Sequence, residues 1–210
     1  MIKILIADDH AIVREGLKQI LSESPDLVVV AEASAGQEVL DKIMKNDLDL
    51  VILDIAMPGR GGLDILKEIK SQKPKLPVLI LSMYPEEQYA VRVLKSGASG
   101  YLTKESAPDE LVKAIRQISQ GKKYISPSLA EKLAVDLEIS PDRPSHETLS
   151  DREYQVMCMI ASGKTLKEIA DGLSLSIKTI STYRSRILEK MNMKTNAELT
   201  HYAIKNRLVD

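Results

Sequence analysis

Five apolar runs of strand length, spaced through the first 125 residues, constrain this chain more than any other feature. They lie at residues 2–7, 28–33, 50–54, 78–82 and 100–103. Amphipathic stretches separate them, near residues 13–22, 37–45, 63–71 and 86–96, with a last one near 108–120. Near-continuous apolar strands alternating with helices predict a parallel sheet covered on both faces, a doubly wound α/β domain of five strands. Ligands on such sheets bind beyond the carboxyl ends of the strands, where the strand order reverses. Three runs end on groups able to do chemistry there: Asp8 and Asp9 follow the first, Asp54 closes the third, and Lys104 follows the fifth. Converging strand ends make an acidic pocket with one cation, suited to a divalent metal and a phosphoryl group. A lone aspartate at a strand end is most often a solvated turn residue. Three of them and a lysine at matching depth call for a common purpose.

The 210 residues suffice for one large or two small domains, each with its own core. No apolar run is long enough to span a bilayer, and the first meets two aspartates too soon to act as an export signal. The single cysteine, Cys158, excludes an internal disulfide and any cysteine-rich metal site; its apolar helical context predicts a small core residue. The cytoplasm is the expected compartment. A net charge of −1 conceals an asymmetry. Residues 1–147 carry 19 Lys and Arg against 23 Asp and Glu, a net −4, whereas residues 148–210 carry 10 against 7, a net +3. The two parts therefore suit different partners, and nucleic acid suits the second.

Beyond the sheet, Ser126-Pro127-Ser128 reads as a helix start with serine at the N-cap, opening a short helix over 129–137. A linker follows at 140–145, where two prolines sit among small polar residues. The remainder is helical and carries three capping boxes, Ser150-x-x-Glu153, Thr165-x-x-Glu168 and Thr195-x-x-Glu198. Gly163 and Gly172 are expected to close helices, and Ser176 to cap a longer one through about Met191. In that longer helix Ile177, Ile180, Ile187, Leu188 and Met191 make an apolar stripe. The opposite face presents Lys178, Thr179, Ser181, Thr182 and Ser185, flanked by Arg184 and Arg186. Small hydroxyls let a helix approach base edges, and basic side chains meet phosphates or guanines. A charged face on an isolated helix is commonly just solvated. Following a short helix and a four-residue turn, it reads better as a recognition helix for the major groove. Lys164, Lys167 and Lys190 read as phosphate contacts or plain surface. With neither Trp nor Phe, base stacking on single strands is not expected.

The ordered set Asp8-Asp9, Asp54 with Met57-Pro58-Gly59, Ser82, Tyr101 and Lys104 resembles the receiver domain of two-component response regulators, over about residues 1–120. The resemblance implies a flavodoxin-like fold with Asp54 as phosphoacceptor and a histidine kinase as donor. It implies Mg²⁺ held by Asp9 and Asp54, by Asp8 through water and by the Ala56 backbone carbonyl. Ser82 and Lys104 would bind the phosphoryl group, and Tyr101 would swing inward as the switch. These residue types make chemical sense, because a metal ion and an ammonium both relieve the repulsion a carboxylate meets at phosphorus. Clustered acids would also raise one another's pKa values, which a metal counters. The family often has proline after the lysine; here Glu105 follows, and a cis bond without proline costs about 3 kcal/mol. Ala56 and Tyr84 stand where the family tunes dephosphorylation. Neither readily orients a water, so a phosphoryl group lasting minutes or longer is expected.

Lys167-Glu168-Ile169-Ala170 and the run from Leu175 to Ile180 resemble the LuxR-type helix-turn-helix of NarL/FixJ-type regulators. Ser181 and Tyr183 depart from that family's common lysine and histidine, and bring the resemblance closer to its global virulence and secondary-metabolism regulators. The implied organisation is a receiver at 1–122, a linker with a short helix at 123–146, and a four-helix DNA-binding domain at 147–210. The implied protein is no enzyme but a transcription regulator, a homodimer when phosphorylated or on double-stranded DNA, with RNA polymerase as a further partner. Leu199, Tyr202 and Ala203 on the last helix are its dimer contacts, or else that helix packs on its own module. The competing reading, a haloacid-dehalogenase-type phosphohydrolase, needs a second aspartate two residues after the nucleophile, and Ala56 occupies that place.

Overall fold

Five parallel strands form one sheet in the order β2-β1-β3-β4-β5. They are β1 (Ile2–Ala7), β2 (Leu27–Ala33), β3 (Leu50–Asp54), β4 (Val78–Ser82) and β5 (Gly100–Thr103), and they alternate with α1 (Ala11–Ser22), α2 (Gly36–Lys45), α3 (Gly62–Gln72), α4 (Glu86–Lys95) and α5 (Ala107–Ser119). The computed structural model describes residues 1–57, 61–126, 129–130, 145–206 and 208–209, and only the backbone of 87, 88, 145 and 147. Every residue of β3 and β4 is buried, as both-face coverage requires. Successive side chains point to opposite faces. Ile4, Ile6, Leu50, Ile52, Leu79, Leu81 and Leu102 therefore share one face, in a core with Leu17 and Leu21 of α1 and Leu111, Ile115 and Ile118 of α5.

Strand order reverses between β1 and β3, the only neighbours from which connections leave in opposite directions. The register sets the depth of what lies there. Ala7 pairs with Leu53, which places Asp8 beside Asp54. Asp54 pairs with Leu81, one residue short of Ser82, and Ser82 pairs with Thr103, one residue short of Lys104.

The chain divides into two compact units, Met1–Lys132 and Leu133–Asp210. The first extends past the expected receiver end at 122. Tyr124 makes a parallel bridge with Gly100 and lies in the sheet's core. The Ser126 hydroxyl donates to a Glu86 carboxylate oxygen and accepts from the Leu129 N–H at 3.1 Å, so Ser126 is a helix cap as expected. Leu129 and Ala130 are helical, and the rest of the expected short helix and the 140–144 linker lie outside the described residues.

In the second unit a 3-10 turn (Ser145–Thr148) precedes α6 (Asp151–Ala161), α7 (Leu166–Gly172), α8 (Ile177–Lys190) and α9 (Asn196–Lys205). Both α8 and α9 pack on α6, and α7 packs on α8. The first two capping boxes close reciprocally: the Ser150 and Thr165 amides donate to Glu153 and Glu168 at 2.7 Å, whose own amides donate back at 3.3 Å. The third is only half formed. Thr195 accepts from the Glu198 amide, but the Glu198 carboxylate takes the Lys194 N–H in place of the Thr195 one. Gly163 is left-handed after α6, as expected. Gly172 is not; it remains helical, and Ser174 and Asn192 take the left-handed positions after α7 and α8.

Candidate functional site

Asp8 and Asp54 are each 1 % exposed at the switch point, and one ammonium lies between them. Lys104 Nζ is 2.7 Å from Asp8 Oδ2 and 2.8 Å from Asp54 Oδ2. Asp54 Oδ1 accepts the Ala56 N–H at 2.9 Å, which fixes the carboxylate's rotation. Asp9 stands at the rim, its side chain 28 % exposed. Asp8 Oδ2 and Asp9 Oδ1 are buried and accept no aligned hydrogen bond, although Lys104 lies close to the first and His10 to the second.

Burial pushes the Asp54 carboxyl above the usual carboxylate range, against the attraction of Lys104, with Asp8 adding to the rise. Desolvation works against the Lys104 charge as well, but Asp54 and Asp8 together outweigh it and hold its pKa above the ordinary lysine value. Among the described residues, three carboxylates and one ammonium leave an excess of negative charge in a low-dielectric pocket, and the buried oxygens without aligned donors suit a hard cation. The residues present thus fit a divalent metal.

Ser82, fully buried at the end of β4, accepts the Tyr84 N–H at 3.0 Å. Tyr101 is already turned inward, 3 % exposed, and its hydroxyl donates to the Tyr84 carbonyl at 2.7 Å. Burial raises its phenol pKa well above the ordinary value. The Tyr84 ring stacks on Tyr89 with centroids 4.8 Å apart. Among the described residues there is no cis peptide bond, so the bond after Lys104 is trans. Pro58 and Gly59 lie outside the described residues.

Two residues of the pocket escaped the sequence reading. His10 continues the Asp8-Asp9 pair, and its Nδ1 stands 3.3 Å from Asp8 Oδ1 and 2.9 Å from Asp9 Oδ1. Its adjacency in sequence was the available signal. Gly62, the first residue of α3, lies so close to β3 that a Cβ on it would stand 2.5 Å from the Asp54 carbonyl oxygen.

In the second unit α8 exposes Lys178, Ser181, Thr182, Ser185 and Arg186, with Thr179 and Arg184 half-buried. Thr182 and Ser185 donate to the carbonyls of Lys178 and Ser181, a local bond that keeps short hydroxyls close to the helix surface. Arg184 Nε donates to Asn196 Oδ1 at 2.6 Å. Lys164 and Lys167 are exposed beside the turn, whereas Lys190 pairs with Glu153 at 2.6 Å. The apolar stripe needs one correction. Ile180, Ile187, Leu188 and Met191 are buried, but Ile177, in the first turn, is 51 % exposed.

Of the two roles open to the last helix, packing on its own module accounts for Leu199 and Ala203. Leu199 and Ala203 are fully buried on the face of α9 that packs on α6, and the half-buried Tyr202 bonds its hydroxyl to His146 Nδ1 at 2.8 Å. The exposed side of α9 carries Ala197, His201 and Ile204.

A family model described as the response regulator receiver domain matches residues 4–116, and one described as bacterial regulatory proteins of the luxR family matches 147–203. The response regulator UvrY of Escherichia coli K12 is 38 % identical over 210 residues, covering 99 % of this chain and 96 % of that protein. The response regulator GacA of Pseudomonas aeruginosa is 36 % identical over 211 residues, covering 100 % and 99 %. RcsB from Salmonella enterica serovar Typhimurium, solved on promoter rprA with the phosphomimetic BeF₃⁻, superposes with a TM-score of 0.65 at 29 % identity, covering 96 % of this chain and 98 % of that one. With an acidic pocket at the sheet's switch point and a helix-turn-helix downstream, this chain belongs to the NarL/FixJ family of two-component response regulators, a receiver domain joined to a LuxR-type DNA-binding domain.

Proposed function

We propose that this chain is a sequence-specific transcription regulator controlled by phosphorylation of Asp54. The observation that carries the reading is Lys104 held between buried Asp8 and Asp54, one strand away from Ser82. The Asp54 carboxylate attacks the phosphorus of a kinase phosphohistidine; the O–P bond forms as the P–N bond breaks. Lys104 moves its charge to a phosphoryl oxygen, and the Ser82 hydroxyl donates to another. Asp9 and Asp54, with Asp8 through water and the Ala56 carbonyl, would hold Mg²⁺, which neutralises phosphoryl charge during transfer. Drawing Ser82 toward the phosphoryl group breaks its bond from Tyr84 N–H, and Tyr101 is tied to the carbonyl of that same residue. The switch thus acts through the 82–86 loop and α4.

The α8 face, Lys178, Thr179, Ser181, Thr182, Arg184, Ser185 and Arg186, reads the major groove of promoter DNA in the cytoplasm, and RNA polymerase is the downstream partner. RcsB, a structural relative, has been solved on promoter DNA. Dimerisation through α9 runs along Ala197, His201 and Ile204, so Ile204→Glu is expected to lower dimer formation on DNA at least tenfold while Leu199→Ala mainly destabilises the module. Sedimentation of the protein–DNA complexes checks this. Neither Ala56 nor Tyr84, whose ring lies against Tyr89, readily orients an attacking water, so labelled phosphoprotein should keep its label for minutes or longer. Rapid loss without a phosphatase contradicts that.

The test of the reading is recovery of genomic DNA fragments by the full chain with Mg²⁺, with and without a small phosphodonor. Phosphodonor should enrich a reproducible set of sites, and Asp54→Ala should recover none of that enrichment. Equal recovery in every arm refutes control by phosphorylation.

A further inference from the structure

Four potential ligand atoms, one each from Asp8, Asp9, His10 and Asp54, lie within 4.8 Å of one another. Three are carboxylate oxygens. The fourth is an imidazole nitrogen, which an oxygen-only Mg²⁺ site does not need. The imidazole stands with Nδ1 2.9 Å from Asp9 Oδ1 and 3.3 Å from Asp8 Oδ1. Two ligands at about 2.1 Å from a shared ion, on adjacent corners of an octahedron, stand about 3.0 Å apart. Those spacings are what co-ligation of one ion by Asp9 and His10 requires.

His10 Nδ1 makes a long hydrogen bond with Asp8 Oδ1 at 3.3 Å, but that bond leaves the nearer oxygen, Asp9 Oδ1 at 2.9 Å, unexplained. Asp9 Oδ1 is a buried atom that accepts no aligned hydrogen bond even though Nδ1 is its neighbour. The two atoms lie side by side rather than donor to acceptor. Asp8 Oδ2 is different: it faces the Lys104 ammonium at 2.7 Å, so the unmatched oxygen is that of Asp9 beside His10. His10 is also the N-cap of α1 yet makes no side-chain cap bond, so capping does not explain its ring position.

We infer that His10 turns the acidic pocket into a mixed nitrogen–oxygen site that takes first-row transition ions such as Zn²⁺ and Co²⁺ more tightly than Mg²⁺. Imidazole is a poor partner for Mg²⁺ and a good one for those ions, whose affinities for nitrogen sites rise along the first row. The proposal rests on the receiver-pocket reading above and adds to it a sensitivity to which divalent ion occupies the site. A transition ion held partly by His10 would compete with Mg²⁺ for Asp9 and Asp54.

Calorimetric titration of the full chain with Zn²⁺ and with Mg²⁺, comparing wild type with His10→Gln, tests it. Co²⁺ titration followed by visible absorption reports directly on a nitrogen ligand. The expected result is a loss of Zn²⁺ and Co²⁺ affinity of about tenfold or more in the variant, a changed Co²⁺ spectrum, and Mg²⁺ affinity within about twofold of wild type. Unchanged Zn²⁺ affinity and spectrum overturn the inference, as does an equal loss for all three ions. His146 and His201 lie in the second unit and are untouched by the substitution. Asp54 labelling by a phosphodonor with Mg²⁺ is run alongside. If wild type fails to label, the receiver reading fails; if it labels but Zn²⁺ binding ignores His10, only the present inference does.

Discussion

Replacing Lys104 with methionine is expected to lower the receiver's stability by about 3–5 kcal/mol at neutral pH without divalent metal, and to slow phosphorylation of Asp54 by about 10²-fold or more. Methionine keeps the apolar length of a side chain that is only 9 % exposed, so packing survives and charge alone is lost. Two carboxylates, each about 1 % exposed, then have no ammonium between them. Breaking a buried pair costs more than the pair contributes, because the remaining charges stay desolvated. The pH dependence has a definite sign. Burial already raises the Asp54 carboxyl in the folded protein, so its contribution to stability is full below the unfolded value and is lost as pH rises through the folded one. Without Lys104 the folded value rises further, and the deficit against wild type should narrow on acidification. Millimolar Mg²⁺ should also narrow it at neutral pH, since the ion binds the folded variant more tightly once the competing ammonium is gone and so stabilises it more than wild type. Urea midpoints at two pH values, with and without Mg²⁺, measure all three effects. A variant with an unchanged midpoint at neutral pH without metal refutes a pocket held together by Lys104.

Much of this architecture is legible in the order of residue types, and the exceptions share a cause. Strand ends fall where apolar runs meet Asp8, Asp54 and Lys104, because a buried parallel strand must be apolar throughout and its chemistry can begin only where it emerges. Capping boxes at Ser150 and Thr165 are equally legible, being contacts three residues apart. Periodicity cannot say what a stripe packs against. Leu199 and Ala203 form one stripe whether the surface opposite is α6 or a second subunit, and burial on α6 decides it. Ile177 obeys the spacing of a core residue, yet as the first residue of α8 it is half exposed while Ile180, three residues on, is fully buried. Gly172 looks like a helix stop by type, yet the turn places Ser174 in the left-handed position. His10 was hidden for a related reason. Its ring direction depends on the turn between β1 and α1, which spacing does not encode.

Gly62→Ala is expected to destabilise the receiver by about 1–3 kcal/mol and to cost phosphorylation of Asp54 about 10²-fold, although Gly62 carries no functional group. The added Cβ would stand 2.5 Å from both the Asp54 carbonyl oxygen and Ile55 Cα, and 3.0 Å from the Ile55 carbonyl carbon. All three are backbone atoms, so no rotamer change relieves the clash. The Gly62 N–H also donates to the Ile55 carbonyl at 3.2 Å, which ties the start of α3 to the end of β3 where the methyl would enter. Either that bond breaks or Asp54 and Ile55 shift, and Asp54 is positioned by its backbone and by the Ala56 N–H two residues on. A displacement of about 1 Å at a reacting group is enough for a loss of this size. Gly16→Ala supplies the control. Gly16 lies within α1, and nothing stands within 4 Å of its Cβ position. Alanine there should stabilise by about 0.5–1 kcal/mol through helix propensity alone, with phosphorylation unchanged. One substitution type is therefore predicted to act with opposite signs at two helix positions of one domain. Urea midpoints and phosphodonor labelling rates of both variants measure this. Equal midpoint shifts in the same direction would falsify the close approach of α3 to Asp54 as the reason for glycine at position 62.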